Sequence, residues 1–382
     1  MRRAASPLES GDGQMNSHER RRAKLLEKTG TDAYLLFSLD RTMPAGMDQV
    51  GLRYLTGYTG EGALVITAKE TTLVTDSRYL EQAKTEVPDI EVVHAEGDYL
   101  DDIAGLLRGR KIVRIGYSAW RMTDHVISEL RRRTEAEWIT HGDPVSELRA
   151  EKDAEELAVL RRAVDIAERA LGELLPAARP GVGEVDLASE LTARMRDLGA
   201  DGVLGPTVAS GPNSALPHYV PALGRRTLRD GDFLLIDFGA VVGGYVCDMT
   251  RTYVVGRATE KQREIYACVD RAVDAGLAAL QAGVSGRDVH AAASQVIERS
   301  SYAQYVFLSP VGHGVGLEVH EQPKMGPQMS AGVPRGAVVT MEPGIYIPGY
   351  GGVRIEEMAV VTEAGCEVLN KLPRSRLISL PA

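Results

Sequence analysis

The stretch "LLIDFGAVVGGYVCDMT", Leu234 to Thr250, sets two apolar runs around a Gly243-Gly244 pair. Paired glycines between such runs mark a tight β-hairpin. A turn centred between Val242 and Gly243 puts Asp237 directly opposite Asp248. Cross-strand neighbours hold their Cβ atoms about 4.5–5.5 Å apart. Two bare carboxylates at that spacing repel, and in apolar strands they are costly to bury unpaired. Cations between them remove both costs. Cys247 alternates to the other strand face and belongs to the core rather than to a ligand set.

A second stretch, "MEPGIYIPGYGGVRIEE" from Met341 to Glu357, has the same form. A turn around Gly349 pairs Glu342 with Glu356. The resemblance between the two hairpins extends upstream. A long helix expected over Ala154 to Leu175 is followed by a Gly-Val turn and an acidic helix start, and a second over Glu260 to Gln281 is followed by the same. Gly181 and Gly283 lie 102 residues apart, as do His218 in "ALPHY" and His320 in "LEVHE". Asp237 and Glu342 lie 105 apart. Chance similarity of helix–turn–strand units is the alternative, but polar residues match in four segments. A duplicated half, two helices and a hairpin twice, predicts an α+β domain over 148–382. Its helices would pack outside one shared, curved antiparallel sheet.

His313 adds a nitrogen from "VGHGVGLEVHE", Val311 to Glu321. The glycines there would let the backbone pass close to ions and ligand. Any one of the four acids, taken alone, reads equally well as a surface strand carboxylate. Four in paired register with an imidazole suit hard divalent ions: Mn²⁺ foremost, with Co²⁺ and Zn²⁺ as alternatives. Four carboxylates exceed the need of a mononuclear catalytic site, so two ions sharing bridging carboxylates fit better.

Bulk properties limit the partners. The chain has 382 residues and a formal net charge of -9, which argues against nucleic acid or an anionic membrane surface. Its three cysteines form no C-x-x-C pair or even framework, so a reduced, cytoplasmic setting is expected. The first residues carry charge without an apolar core, unlike a signal peptide, and no apolar run is long enough to span a membrane. Residues 1–17 are expected to be a disordered tail. Over 18–147, "AYLLFS", "GALVIT", "TTLVT", "IEVVHA" and "KIVRIGY" predict strands. "SRYLEQAKTEV", "GDYLDDIAGLLRG" and "RMTDHVISELRRRT" predict helices, giving a separate α/β domain. "HGDPVSELRAEKD" reads as a linker running into a helix. The arginine runs at 20–22 and 131–133 read as solvated faces.

Taken together, "SGPNSALPHY", "IDFGAVVGGYVCDMTRTY", "GHGVGLEVHEQP", "MEPGIY" and "GVRIEEM" resemble the pita-bread metallopeptidases: methionine aminopeptidases, proline-specific peptidases and creatinases. The five motifs appear in order and cover the second domain. The first domain resembles the creatinase-like amino-terminal domain of the proline-specific members. The resemblance implies that Asp237 is a bidentate ligand of one metal and that Asp248 and Glu356 bridge two. It implies that His313 and Glu342 complete the coordination of the other metal, with a water between the metals as nucleophile and Glu342 as proton shuttle. His218 and His320 would flank the scissile carbonyl and stabilise the oxyanion. Arg354, on the same strand face as Glu356, would orient the shell, and Tyr346 would sit near the residue after the scissile bond. A core-satisfied His218 and a plain ion-pair Arg354 are the alternatives.

One position departs from the pattern. Many members carry a substrate-side histidine four residues before the ligand histidine, and "LSPVGH" holds Ser309 there. Ser309 therefore bears on substrate preference and not on the metals.

Within the family, "VTDSRYLEQA" and "LRYLTGYTG" resemble compact bacterial Xaa-Pro aminopeptidases (aminopeptidase P). These release the residue before a proline from proline-containing peptides, and relatives are commonly homodimers. The Xaa-Pro bond has no N–H on its proline nitrogen, so general proteases handle it poorly. An Xaa-Pro dipeptidase (prolidase) is the runner-up. Intact ligand positions argue against a metal-independent creatinase-type amidinohydrolase or a non-catalytic binding protein.

Overall fold

A mixed six-stranded sheet organises the amino-terminal part of the protein, in a computed structural model that describes residues 15–38, 49–220, 225–306 and 309–381. The chain divides into two compact units, Met1–Leu148 and Arg149–Ala382. In the first, β1 (Ala33–Ser38), β2 (Gly62–Thr67), β3 (Thr71–Thr75), β4 (Glu91–His94), β5 (Arg114–Ser118) and β6 (Glu137–His141) lie in the order β4-β3-β2-β1-β5-β6. The first three coincide with the apolar runs that predict them. Near-continuous burial along β1 and β2 explains why those runs are apolar rather than alternating. The predicted helices are present as Leu80–Glu86, Tyr99–Gly109 and Asp124–Arg133. The Asp98 and Thr123 side chains cap the latter two.

Several expectations for this unit need correction. The expected tail lies outside the described residues as far as 14, and Ser17 already begins a helix, Ser17–Thr29, closed by an Asn16–Glu19 capping box. "HGDPVSELRAEKD" does hold the division between the units, but it is structured, with the end of β6 and a helix, Pro144–Arg149, before the long helix it runs into. Arg21 does not lie on a solvated face. It is buried, donates to the Tyr54 carbonyl at 3.1 Å and stacks over the Tyr54 ring.

The second unit is α+β, as its sequence predicts. Its long helices, Ala154–Leu174 and Glu260–Ala279, open with capping boxes at Asp153/Glu156 and Thr259/Gln262. Each buries one face: Leu160, Ala163, Val164, Ala167 and Leu171 in the first, Ile265, Cys268, Val269, Ala272 and Val273 in the second. Each is followed by a shorter helix, Glu184–Asp197 and Gly286–Glu298.

The duplication is visible in backbone conformation. Gly181 and Gly283 have φ of 89° and 83°, and Gly231 and Gly336 have 81° and 78°. Isolated bridges Gly183↔Thr227 and Ser285↔Gly332 repeat the same closure of each turn.

The strands are β7 (Gly202–Ser210), β8 (Phe233–Val242), β9 (Tyr245–Val246), β10 (Met249–Val255), β11 (Gly312–Gly314), β12 (Glu321–Met325), β13 (Val338–Met341), β14 (Gly344–Ile347), β15 (Gly351–Arg354), β16 (Glu357–Thr362), β17 (Gly365–Val368) and β18 (Ser379–Leu380). They form no single sheet. One half-sheet runs β18-β10-β8-β7 with β9 on β8, the other runs β12-β11-β13-β16-β17, and β14-β15 is a separate ribbon. The halves meet where the Glu356 N–H donates to the Thr250 carbonyl at 3.1 Å. Among the described residues no helix is long and apolar enough to cross a membrane.

Candidate metal centre

The hairpin β8–β10 turns on Gly243 and Gly244, whose φ values of 54° and 82° suit the paired positive-φ turn that matches strand twist. Val242 therefore pairs with Tyr245, and Asp237 with Thr250. This corrects the predicted register: Asp248 is not opposite Asp237 but two residues further along the same face. A turn centred on Val242-Gly243 would have forced a β-branched residue to positive φ. Asp248 also sits in a break of the ladder between β9 and β10.

The second hairpin has the expected register. Met341 pairs with Glu357 and Gly344 with Arg354, so Glu342 and Glu356 face each other between these pairs. Both lie at interruptions between strands.

His313 occupies the middle of β11. Its flanking glycines have a different cause from the one expected. A Cβ on Gly312 would meet the Thr340 carbonyl oxygen at 2.1 Å, and one on Gly314 the Gln322 carbonyl oxygen at 2.2 Å. The glycines admit neighbouring strands, and that packing fixes the imidazole. Its Nδ1 lies 3.0 Å from the Gly314 carbonyl, leaving Nε2 toward the acids.

Asp248, His313 and Glu356 offer ligand atoms that all lie within 4.8 Å of one another. His313 Nε2 is 3.7 Å from Asp248 Oδ2 and 3.2 Å from Glu342 Oε1. Thr250 Oγ1 donates to Glu356 Oε2 at 2.8 Å, whereas Glu356 Oε1 is buried without a hydrogen-bond partner. Such an orphaned buried oxygen is what a cation would satisfy. Asp237 stands outside the tight triple, its Oδ2 accepting from Arg354 Nη2 at 2.5 Å. Arg354 also donates from Nε to Thr250 Oγ1 at 2.9 Å and from Nη1 to the Tyr346 hydroxyl at 2.8 Å.

The electrostatics agree with a cation site. Burial, then the neighbouring Asp237, raises the Asp248 carboxyl well above its usual range. Burial, then Asp248, does the same to Glu356. Burial also raises Asp237, against the pull of Arg354. Burial alone would raise Glu342, but the hydrogen bond and charge of His313 outweigh it and lower it. Crowded carboxylates that resist ionising together become ionised when a divalent cation shares their charge. The donor set, oxygen-rich with one imidazole, fits such an ion.

These groups line a cavity of about 180 Å³. His218, His320, Tyr346 and Arg354 also line it, with Leu204 and Val319 as apolar wall. The His313 and His320 rings meet edge to face, centroids 4.4 Å apart. Partial burial, then His313, lowers the His320 pKa. Ser309 is not brought to the site: it is exposed and absent from the cavity wall.

Sequence reasoning missed Thr250 and Arg251. Thr250 bridges Glu356 and Arg354, and its position two residues after Asp248, on the same strand face, was the available signal. Buried Arg251 donates to the Glu356 carbonyl at 2.7 Å and to Glu357 Oε1 at 3.0 Å, over a sequence distance that hides the contact.

Residues 158–363 match the model of metallopeptidase family M24, and residues 20–150 match the creatinase/prolidase N-terminal domain. The chain belongs to metallopeptidase family M24. This family is a hydrolase family, and its fold is the pita-bread fold that the resemblance implied.

Solved M24-type structures cover nearly all of the chain. An Xaa-Pro dipeptidase from Bacillus anthracis is 35% identical with a TM-score of 0.86, covering 95% of this chain and 99% of that one. An X-Pro aminopeptidase from Thermotoga maritima is 33% identical with a TM-score of 0.85, covering 94% and 100%. An Xaa-Pro dipeptidase from Pyrococcus furiosus is 33% identical over 89% of this chain and 96% of its own length.

Proposed function

We propose that this M24 metallopeptidase releases the N-terminal residue from peptides with proline in second place. The observation that carries the length preference is the charge of the cavity wall. Among the described lining residues Arg354 is the only lysine or arginine, and its nitrogens are engaged by Asp237, Thr250, Tyr346 and the Pro217 carbonyl, while Lys324, paired with His313 and acting on His320 by its charge, stands outside the lining. A dipeptide presents a free carboxylate one residue past the scissile bond, and its burial calls for a partner cation. A longer peptide presents an amide there instead. The names of the Bacillus anthracis and Pyrococcus furiosus relatives favour the second reading, an Xaa-Pro dipeptidase.

In either reading Asp237, Asp248, His313, Glu342 and Glu356 hold two divalent ions, with Mn²⁺ preferred for the oxygen-rich donor set. When bound, such ions polarise the scissile carbonyl and lower the pKa of the attacking water. Glu342 takes the water proton at its carboxylate and passes it to the leaving proline nitrogen. His218 and His320 flank the carbonyl and donate to its developing negative charge. Arg354 fixes the Asp237 carboxylate and the Tyr346 hydroxyl, and Tyr346 borders the proline side. The reading includes a homodimer and a cytoplasmic setting, the latter supported by three unpaired cysteines.

The test is incubation of the purified protein with Mn²⁺ on Arg-Pro-Pro, Gly-Pro and creatine. Cleavage of the tripeptide with the dipeptide untouched is expected. Cleavage of the dipeptide alone transfers the assignment to the second reading. Inertness toward both peptides under every divalent metal overturns the peptidase reading itself.

A further inference from the structure

In both halves of the duplicated unit, the residue directly after the cavity histidine is anchored by its own side chain to buried charge. After His320 comes Glu321, only 3% exposed. Its Oε2 accepts from Lys152 Nζ at 3.0 Å. Its Oε1 accepts from Arg149 Nη2 and, at 3.0 Å, from the Glu318 backbone N–H. Arg149 also donates to Glu318 Oε2 at 2.8 Å. The carboxylate is folded beneath its own loop, since a Cβ on Gly316 would sit 2.8 Å from Glu321 Oε2. The segment from Gly316 to Glu321 is thus closed on one carboxylate, with His320 inside the closure.

After His218 comes Tyr219, 102 residues before Glu321. Its hydroxyl donates to Glu184 Oε2 at 2.8 Å, and Glu184 is fully buried. The same carboxylate accepts from the Ser210 N–H at 2.6 Å, from Ser210 Oγ at 2.7 Å and from Asn213 Nδ2 at 3.0 Å. The segment from Ser210 to Tyr219 is closed on Glu184, with His218 inside it. The two halves reach one arrangement by different chemistry, ionic in the second and hydroxyl-to-carboxylate in the first.

Buried charge is a poor way to gain stability alone, because well-packed apolar side chains of similar volume usually do as well. Directional bonds do what apolar packing cannot: they fix a loop to within about 0.5 Å, the tolerance of a catalytic group.

We propose that Glu321 with Arg149 and Lys152, and Glu184 with Tyr219, are positioning residues that hold His320 and His218 against the two sides of the substrate carbonyl. This rests on the peptidase reading above. The roles are positional, because neither carboxylate lines the cavity.

The experiment compares the Mn²⁺-loaded full chain with Tyr219→Phe, Glu321→Gln and the charge-balanced Glu321→Gln/Lys152→Met. Three quantities are read: kcat and KM on Arg-Pro-Pro, metal content by elemental analysis, and the ring-to-ring NOE between His313 and His320 in metal-free, histidine-labelled protein. Tyr219→Phe should lower kcat about 3- to 10-fold, the scale of one lost hydrogen bond. Either Glu321 variant should lower kcat about 10- to 100-fold. In all of them KM should move less than about twofold and metal content should hold, the pattern of an interaction made in the transition state. The Glu321 variants should also weaken the NOE.

Unchanged kcat in Tyr219→Phe and in the Glu321 variants overturns the proposal, as does a kcat loss that tracks metal loss. If Glu321→Gln does not fold, the charge-balanced pair decides alone. A wild type inert toward peptides whose NOE still weakens in the Glu321 variants condemns the peptidase reading but keeps the positioning. A peptide-cleaving wild type whose variants change neither kcat nor NOE condemns the positioning alone.

Discussion

The two halves of the second unit share a plan but not a load. The first contributes Asp237 and Asp248 from a hairpin that turns on Gly243 and Gly244, so the acids stand diagonally on one face. The second contributes a face-to-face pair, Glu342 and Glu356, together with His313 and Arg354. At the repeat offset of 102, His313 corresponds to Gly211. Gly211 has φ of 49°, and a Cβ there would lie 2.5 Å from Asp232 Oδ1 and 2.6 Å from Arg226 Nη2. A side chain at Gly211 would have to displace Asp232 and Arg226, and by strand register the place of His313 in the first half is held by Ala209. Duplication supplied a symmetric set of strands, and asymmetry in packing left one nitrogen donor among the acids.

The strongest test of that division is the diagonal acid. Asp248→Ala should remove at least one metal equivalent, and lower kcat/KM on Arg-Pro-Pro by on the order of 10³-fold or more, the scale of lost metal-ion catalysis. Elemental analysis and steady-state kinetics check it together. Two equivalents of metal in the variant would falsify the assignment of Asp248 as a ligand.

A smaller effect is expected where the halves differ most. Gly211→Ala should destabilise the fold by about 2–3 kcal/mol, through backbone strain and crowding against Asp232 and Arg226. Urea unfolding measures it. Gly211→His should bind no additional metal. A stable Gly211→His protein with a third equivalent would make the halves interchangeable after all.

The same asymmetry marks what the sequence could convey. Both hairpins were legible from their glycines and acids, and so were all four long or short helices of the duplication. The register of the second hairpin followed directly from Gly349. That of the first did not, because a Gly-Gly pair can be placed in the turn or beside it. Only the requirement of positive φ at both turn residues chooses Gly243-Gly244. Thr250 and Arg251 were illegible for a different reason: their partners, Glu356 and Glu357, lie more than 100 residues away. Local patterns carry no record of such contacts. In the first unit β6, "EWITH", was hidden by its shortness and its charged, half-exposed residues.

The anchor behind His320 should also respond to acid. Burial pushes the Glu321 carboxyl up, but Lys152 and Arg149 outweigh it and hold it below its ordinary value. Between the depressed folded pKa and the ordinary one, the unfolded chain binds a proton that the folded chain does not. Stability from this group is therefore complete above the ordinary carboxylate pKa and is lost as pH falls through the folded value. Unfolding free energies measured from about pH 6 to about pH 3 should fall less steeply in Glu321→Gln than in the wild type. Parallel slopes would show that the ion cluster contributes nothing specific to acid stability.

The smallest effect is expected at Ser309. As the place of a substrate-side histidine in related sequences it promised altered preference. Its exposure and its absence from the cavity wall reduce that promise. An exposed substitution outside any anchored network usually changes stability by less than about 0.5 kcal/mol. Ser309→His should therefore keep both metal equivalents and change kcat/KM on Arg-Pro-Pro by less than about twofold, because an imidazole there meets neither metal site nor carbonyl. The informative comparison is with Tyr219→Phe, which removes a single oxygen yet should cost more. If Ser309→His instead shifted the ratio of tripeptide to dipeptide cleavage, the chain before β11 would have to approach bound substrate, and the wall of the site would extend beyond the residues that line it here.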